Sequence, residues 1–281
     1  MNVSRRWQPS PLIRGSIWLH SGAAIAAIVL VISQPPYWPL ALAGVVAAII
    51  VDHLVLTAVG LWPRSRLLGP NLVHCRDCEA TRGRIVLTID DGPEPQVTPR
   101  VLDLLAAHGA HATFFLVGAR AAAHPDLVRR IAAEGHGIEN HSYAHDHGFS
   151  LRGTRWLAAD IDAAQRVLSS LAGRAPRFFR APAGLRSPLL EPVLARAGLG
   201  LASWTRRGFD TRTTDADRVL ERLAGHDGRR LAAGDILLLH DGHAARDAAG
   251  EPVILAVLER LLVLCREREL AVVSLDTVLP Q

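Results

Sequence analysis

Leu87-Thr88-Ile89-Asp90-Asp91-Gly92-Pro93 is an apolar β-type run that stops at two adjacent acids and a Gly-Pro turn. Adjacent carboxylates repel, so a strand end that carries both calls for a positive partner. Downstream, His141-Ser142-Tyr143-Ala144-His145 holds two imidazoles at i and i+4, which one helical turn would point the same way. An acid and two such histidines are enough protein ligands for a catalytic metal that keeps one position open for water. The second acid is then free to act as a base. Alone, each motif also has a plain reading: a turn or cap for the acids, a solvated helix face for the histidines.

Two more apolar runs end in the same manner. Phe178-Phe179-Arg180-Ala181-Pro182-Ala183-Gly184 stops at an arginine and a Pro/Gly turn, and Leu237-Leu238-Leu239-His240-Asp241-Gly242 stops at a histidine. Strand-like segments over 85–89, 112–116, 137–140, 177–180, 200–204, 235–240 and 271–274 alternate with helical ones over 97–107, 126–134, 157–171, 188–197, 215–223 and 253–268. That alternation predicts an α/β fold with a parallel sheet and crossover helices. About seven strands suggest a β/α barrel short of the usual eight, with polar groups at the strand ends that form a catalytic rim.

In this order the motifs resemble the polysaccharide deacetylase family, also called the NodB-homology domain or carbohydrate esterase family 4. The matching segments are Thr88-Ile89-Asp90-Asp91-Gly92-Pro93, His141 to His145, Arg180-Ala181-Pro182 and Leu238-Leu239-His240, within about Arg84 to Leu279. The resemblance implies a distorted (β/α)7 barrel, with Asp91 as metal ligand and Asp90 as general base. His141 and His145 complete the metal's protein ligands. Two imidazoles and a carboxylate suit zinc, with cobalt or nickel as substitutes. Arg180 is expected to pair with Asp90 and hold it. His240 is expected to protonate the departing amine, a poor leaving group until protonated.

The family's fourth motif carries an Asp followed by Trp. Here Asp210 is followed by Thr211, so Phe209 or Trp204 is left to form the acetyl-group wall. Asp210 is expected to orient His240. Ala183, after Pro182, replaces a frequent aromatic; its backbone N–H is the expected oxyanion donor. Asn140, Tyr143, Asp241 and His243 are read as supporting or structural residues.

The chain has 281 residues, 49% hydrophobic and 21% charged, which fits one domain of about 200 residues plus an extra segment. The charge of +4 is mild and no Lys/Arg run points to nucleic acid. Cys75 and Cys78 form a C-x-x-C that lacks two more ligands at zinc spacing, so a redox pair and a plain loop pair both remain open. Cys265 reads as a buried small hydrophobe.

Ahead of the barrel lie two apolar stretches, 16–34 and 39–62, each near the roughly 20 residues that a membrane span needs. Pro35-Pro36-Tyr37-Trp38 joins them, and Trp18 and Trp62 lie at the opposite end. A cleaved signal peptide is the competing reading, but two runs back to back favour a hairpin. The expected organisation is a basic segment 1–15, a membrane hairpin 16–62, a linker 63–83 and a catalytic domain 84–281. Arg5, Arg6, Arg14, Arg64 and Arg66 flank the hairpin while its turn is uncharged, which predicts both ends and the enzyme domain on the cytoplasmic side of a bacterial cell membrane. Asp52 and His53 fall within the second stretch, either as functional groups partnered by His20 or in a shallow re-entrant hairpin.

The function expected is metal-dependent hydrolysis of an N-acyl group, acetyl or a similar small acyl, on an amino sugar. The substrate is a polysaccharide or a lipid-linked glycan, as for the deformylases of undecaprenyl-phosphate aminoarabinose. A catalytically inactive, membrane-anchored binding barrel is the reading from another class.

Overall fold

The computed structural model describes residues 7–76 and 79–279; Arg5, Arg6 and Cys78 therefore lie outside the described residues. Ser10 accepts the Ile13 N–H on its Oγ and Pro11 follows at the first helical position, which starts helix α1 (Pro11–Ser33). Gln34 ends it in the left-handed conformation, and helix α2 (Trp38–Gly60) returns alongside. Helix α1 thus begins five residues earlier than the apolar run alone indicates. Both helices are long and apolar enough to cross a membrane. Ile25, Ile28 and Ile32 on α1, and Leu40, Val46, Ile50 and Leu54 on α2, are exposed rather than packed on protein. Two long apolar helices with such uncovered faces suggest membrane anchoring.

The sheet is built from β1 (Arg84–Asp90), β2 (Thr113–Leu116), β3 (Gly137–Asn140), β4 (Phe178–Phe179), β5 (Gly200–Leu201), β6 (Arg206–Arg207), β7 (Ile236–His240) and β8 (Ala271–Val273). All pairs are parallel, in the order β5-β4-β3-β2-β1-β7-β6, with β8 also on β1. Side chains alternate as strand geometry demands. Ile85, Leu87 and Ile89 pack outward with Phe114, Leu116, Leu237 and Leu239 against the helices. Val86, Phe115, Ile236 and Leu238 fill the inside. The same alternation carries Asp90 and His240 inward at the rim, where they are register partners on adjacent strands.

The strand expected over 200–204 stops at Leu201, and a second short strand forms beyond it at Arg206–Arg207. β5 lies at one edge of the sheet and β6 at the other, so residues 202–205 cross the gap between them. Ala202 N–H still donates to Phe179 O, and Thr205 N–H already donates to Ile236 O. The chain cannot ladder with both neighbours at once, so pairing lapses between them. Counted as one interrupted strand, β5 and β6 restore the expected seven, in a curled half-barrel.

Within the expected linker, residues 63–76 pack on the barrel. Pro63 O accepts from Ser203 Oγ at 2.7 Å and from Asn71 Nδ2 at 2.9 Å. Cys75 N–H donates to Gly234 O, and Arg76 Nη2 lies 2.6 Å from Asp235 Oδ1. Cys265 is buried with its thiol pushed up to about 12 by burial, as suits a small core residue.

Candidate active site

Asp90 follows Val86 and Thr88 on the inner face of β1. Neighbouring strand residues should face opposite ways, yet Asp91 also lines the cleft, because its φ of 76° turns the chain after the strand. Gly92 has to be small: a Cβ there would meet the Asp241 carboxylate at 2.5 Å.

The His141–His145 segment is not a helical turn. Ser142 and His145 have φ of 67° and 50°. Side chains satisfy the backbone N–H groups instead: Asn140 Oδ1 takes that of Ser142, the two Asp160 oxygens those of Tyr143 and Ala144, and Ser142 Oγ that of His145. The imidazoles still converge, with centroids 5.0 Å apart. His141 Nδ1 lies 2.8 Å from Arg180 O, which can only accept, so this nitrogen bears a proton. His141 Nε2 and His145 Nε2 lie 3.1 and 3.0 Å from Asp91 Oδ1.

A third imidazole joins them. His243 Nδ1 lies 2.9 Å from Asp91 Oδ2, while its Nε2 lies 3.0 Å from Arg120 Nη2. Guanidinium only donates, so Nε2 accepts and Nδ1–H donates to the carboxylate. Burial alone would raise the Asp91 pKa, but hydrogen bonds from His141, His145 and His243 hold it well below the usual carboxylate range. One donor atom each of Asp91, His145 and His243 lie within 4.8 Å of one another. Imidazole nitrogens crowded on one ionised carboxylate are a donor set that fits a divalent metal of the zinc class.

Arg180 is buried beneath this centre. Its Nη1 lies 2.6 Å from Asp90 Oδ1 and 2.9 Å from Thr88 Oγ1, and its plane sits 3.9 Å over the Phe115 ring. Nε and Nη2 donate to Ala202 O and Ser203 O, the carbonyls in the gap between β5 and β6. At the end of β7, the His240 backbone N–H donates to Asp210 at 2.7 Å, and Asp210 faces His240 Nδ1 at 2.9 Å. Burial opposes charge on this imidazole, but Asp210, then Asp91 and Asp90, outweigh it and push the pKa up to about 9.

These groups share a cleft of about 190 Å³ lined by Asp90, Asp91, His141, His145, Ala183, Trp204 and His240, among others. A larger groove of about 640 Å³ on the outer helices, beside Arg100 and Glu259, contains none of them. Ala183 is at the cleft in the left-handed conformation, φ 55°, and Pro182 is buried next to it. Trp204 forms the aromatic wall, whereas Phe209 is held between Arg207 and Arg222 outside it. Asn140 bonds Ile161 O and Gln165.

A profile of the polysaccharide deacetylase family matches residues 78–202. The chain is 34% identical over 197 residues to a chitooligosaccharide deacetylase of Sinorhizobium fredii, covering 68% of this chain and 89% of that protein. The chain belongs to the polysaccharide deacetylase family. Its class is thus the hydrolases of carbon–nitrogen bonds other than peptide bonds. Among solved structures it is similar to a peptidoglycan N-acetylglucosamine deacetylase, with TM-score 0.65, 26% identity and coverage of 74% of this chain and 92% of the other. It is also similar to a family 4 carbohydrate esterase from Streptomyces lividans in complex with acetate, with TM-score 0.60, 29% identity and coverage of 69% and 92%.

His243, read from the sequence as a supporting residue, bonds Asp91 directly. One contributor escapes a sequence reading of this deacetylase. Asp160, in the helix Thr154–Ala172, holds the histidine loop with no local signal at all.

Proposed function

We propose that this deacetylase removes the acyl group from an N-acylated amino sugar of the N-acetylglucosamine type, in an oligosaccharide, peptidoglycan or a lipid-linked glycan. One observation carries the reading: an arginine-held carboxylate, a three-imidazole carboxylate centre and an aspartate-held imidazole face the same cleft. In this reading Asp91, His141 and His145 hold one divalent ion, zinc or, in substitution, cobalt or nickel, and His243 steadies Asp91 by donating to it. When bound, the ion supplies Lewis-acid polarisation of the amide carbonyl and a lowered pKa for the attacking water.

Asp90, held in place by Arg180, takes the proton from the attacking water. His240, kept protonated by Asp210, gives a proton to the departing amine nitrogen. The Ala183 N–H, set by the turn at Pro182, stabilises the oxyanion, and Trp204 walls the acyl group. A binding-only barrel has no need for a base, an acid and a metal donor set together.

The lipid-linked substrate has its own support. Gly184, on the cleft, packs so closely on Pro63, three residues beyond α2, that a Cβ there would lie 2.7 Å from Pro63 Cβ. Arg64 Nη1 lies 2.9 Å from Thr205 O, next to the Trp204 wall. If the hairpin spans the membrane, the cleft opens beside the bilayer surface, where a sugar on a lipid carrier would be held.

The test is acetate release by the full chain in detergent, with added zinc. Acetylated chitooligosaccharides, peptidoglycan fragments and a polyprenyl-diphosphate N-acetylglucosamine are each offered. Release abolished by Asp90→Asn is expected on at least one. No amide hydrolysis on any, with the metal loaded, would defeat the proposal.

A further inference from the structure

The hairpin holds a second cluster of metal-type donors, unrelated to the catalytic cleft. His20 on α1 and Asp52 and His53 on α2 each offer a donor atom within 4.8 Å of the others. Asp52 is eight residues before the end of α2, so the cluster lies about 12 Å along the helix from its barrel end. Ionisable groups at such a depth are costly and are retained where they do something.

The orientation of each group is fixed. Ser16 Oγ donates to Asp52 Oδ2 at 2.7 Å, across from α1 to α2. His20 Nδ1 lies 2.8 Å from Ser16 O, and His53 Nδ1 lies 2.9 Å from Ile49 O. Backbone carbonyls only accept, so both Nδ1 atoms bear the proton and both Nε2 atoms keep their lone pairs. That is the arrangement by which metal-ligating histidines are usually oriented and made more basic. The two rings meet edge to face at 5.1 Å, and His20 Nδ1 is 3.8 Å from Asp52 Oδ2. A helix pair joined only by hydrogen bonds would be served by Ser16 and Asp52, and would leave the two imidazoles unexplained.

We propose that His20, Asp52 and His53 form a divalent-metal site for zinc-class cations in the apolar hairpin. Two imidazoles and one carboxylate match the preference of such ions for nitrogen and oxygen donors. Because the ligands come from both helices, the ion clamps α1 to α2 and fixes the anchor from which the barrel hangs.

The test uses the full chain in lipid nanodiscs, stripped of metal and reloaded with zinc, with bound metal counted by mass spectrometry. His20→Ala, Asp52→Asn and His53→Ala should each bind about one zinc fewer per chain than the wild type. Asp91→Ala should also lose one, and combining it with Asp52→Asn should lose both. Hairpin variants that bind as much zinc as the wild type overturn the proposal, whatever happens at Asp91. Should a variant fail to reconstitute, the unmutated chain decides. Zinc should shield His20 and His53 from diethyl pyrocarbonate, read peptide by peptide, and equal labelling with and without zinc overturns the site.

Discussion

Arg180 and Asp90 form a buried pair, Nη1 to Oδ1 at 2.6 Å, and the same guanidinium satisfies the carbonyls of Ala202 and Ser203 where the sheet is interrupted. One side chain therefore serves both the fold and the proposed base. Truncation to Ala or Met would leave a buried carboxylate and two carbonyls without partners. Removing one member of a buried pair costs about 3–5 kcal/mol. Arg180→Met should lose stability of that order in denaturant melts. Arg180→Lys keeps the charge but lacks the fork, and should fold with turnover reduced about 10²-fold or more. Wild-type turnover in Arg180→Lys would show that the fork geometry is irrelevant to Asp90.

The metal assignment separates His243 from the other imidazoles. Asp91→Ala, His141→Ala and His145→Ala should each lose the ion of the cleft, and chelation should abolish activity until zinc or cobalt is returned. His243 donates to Asp91 and is held by Arg120, so His243→Ala should retain the ion with affinity lowered about 10–100-fold. Metal titrations by calorimetry check this. Full occupancy in Asp91→Ala would remove Asp91 from the ligand set, and complete loss in His243→Ala would make His243 a ligand.

His240 owes its charge to Asp210. Its pKa is pushed up to about 9, so the protonated acid should be lost as pH rises through the upper limb of the profile. Asp210→Asn removes the main charge behind that shift and should move the alkaline limb to lower pH by about one unit or more, with lower kcat. His240→Ala should cut turnover about 10²–10⁴-fold while the metal stays bound. An alkaline limb unmoved in Asp210→Asn would sever the two residues.

A second histidine ties stability to pH. His136 is nearly buried, and its Nδ1 accepts the Ala112 N–H. Burial, then His111 nearby, lowers its pKa from 6.5 to about 4. Between those values the unfolded chain binds the proton and the folded one does not. Stability is therefore complete above about pH 6.5 and declines as pH falls toward 4, by roughly 2–3 kcal/mol. His136→Gln should flatten this acid limb in thermal melts of the full chain; an unchanged slope would acquit His136.

Much of this site could be read in the chain because strand alternation is local. Once β1 is placed, Thr88 and Asp90 must face in with Val86, and once β7 is placed, His240 must face in with Leu238. What depended on distant partners could not be read. The spacing of the His141–His145 segment predicts a helical turn, but Asp160, on the helix Thr154–Ala172, takes two of its N–H groups and, with the adjacent Asn140, bends it into a loop. The strand expected at 200–204 breaks because its residues must bridge opposite edges of the sheet, a demand that exists only after the sheet has curled. His243 belongs to Asp91 only because its loop folds back over the rim.

The side of the membrane on which the barrel lies governs which substrate it can meet. Arg14 precedes the apolar part of α1, and Arg64 and Arg66 follow α2, while the turn at residues 34–37 carries no charge. Short positively charged flanks resist translocation, so both helix ends and the barrel should remain in the cytoplasm. The contact of Pro63 with Gly184 then keeps the cleft close to the inner leaflet, and anchoring raises the effective concentration of enzyme over any lipid-carried sugar without a new contact. C-terminal fusions to a reporter active only in cytoplasm, and to one active only outside, should give signal from the first alone. Replacing Arg64 and Arg66 with neutral residues and adding arginines at the turn should weaken or invert that preference. If the wild-type chain instead lights only the outer reporter, a lipid-linked sugar at the cytoplasmic face is ruled out as the substrate. Polymeric glycan of the cell surface would then take its place.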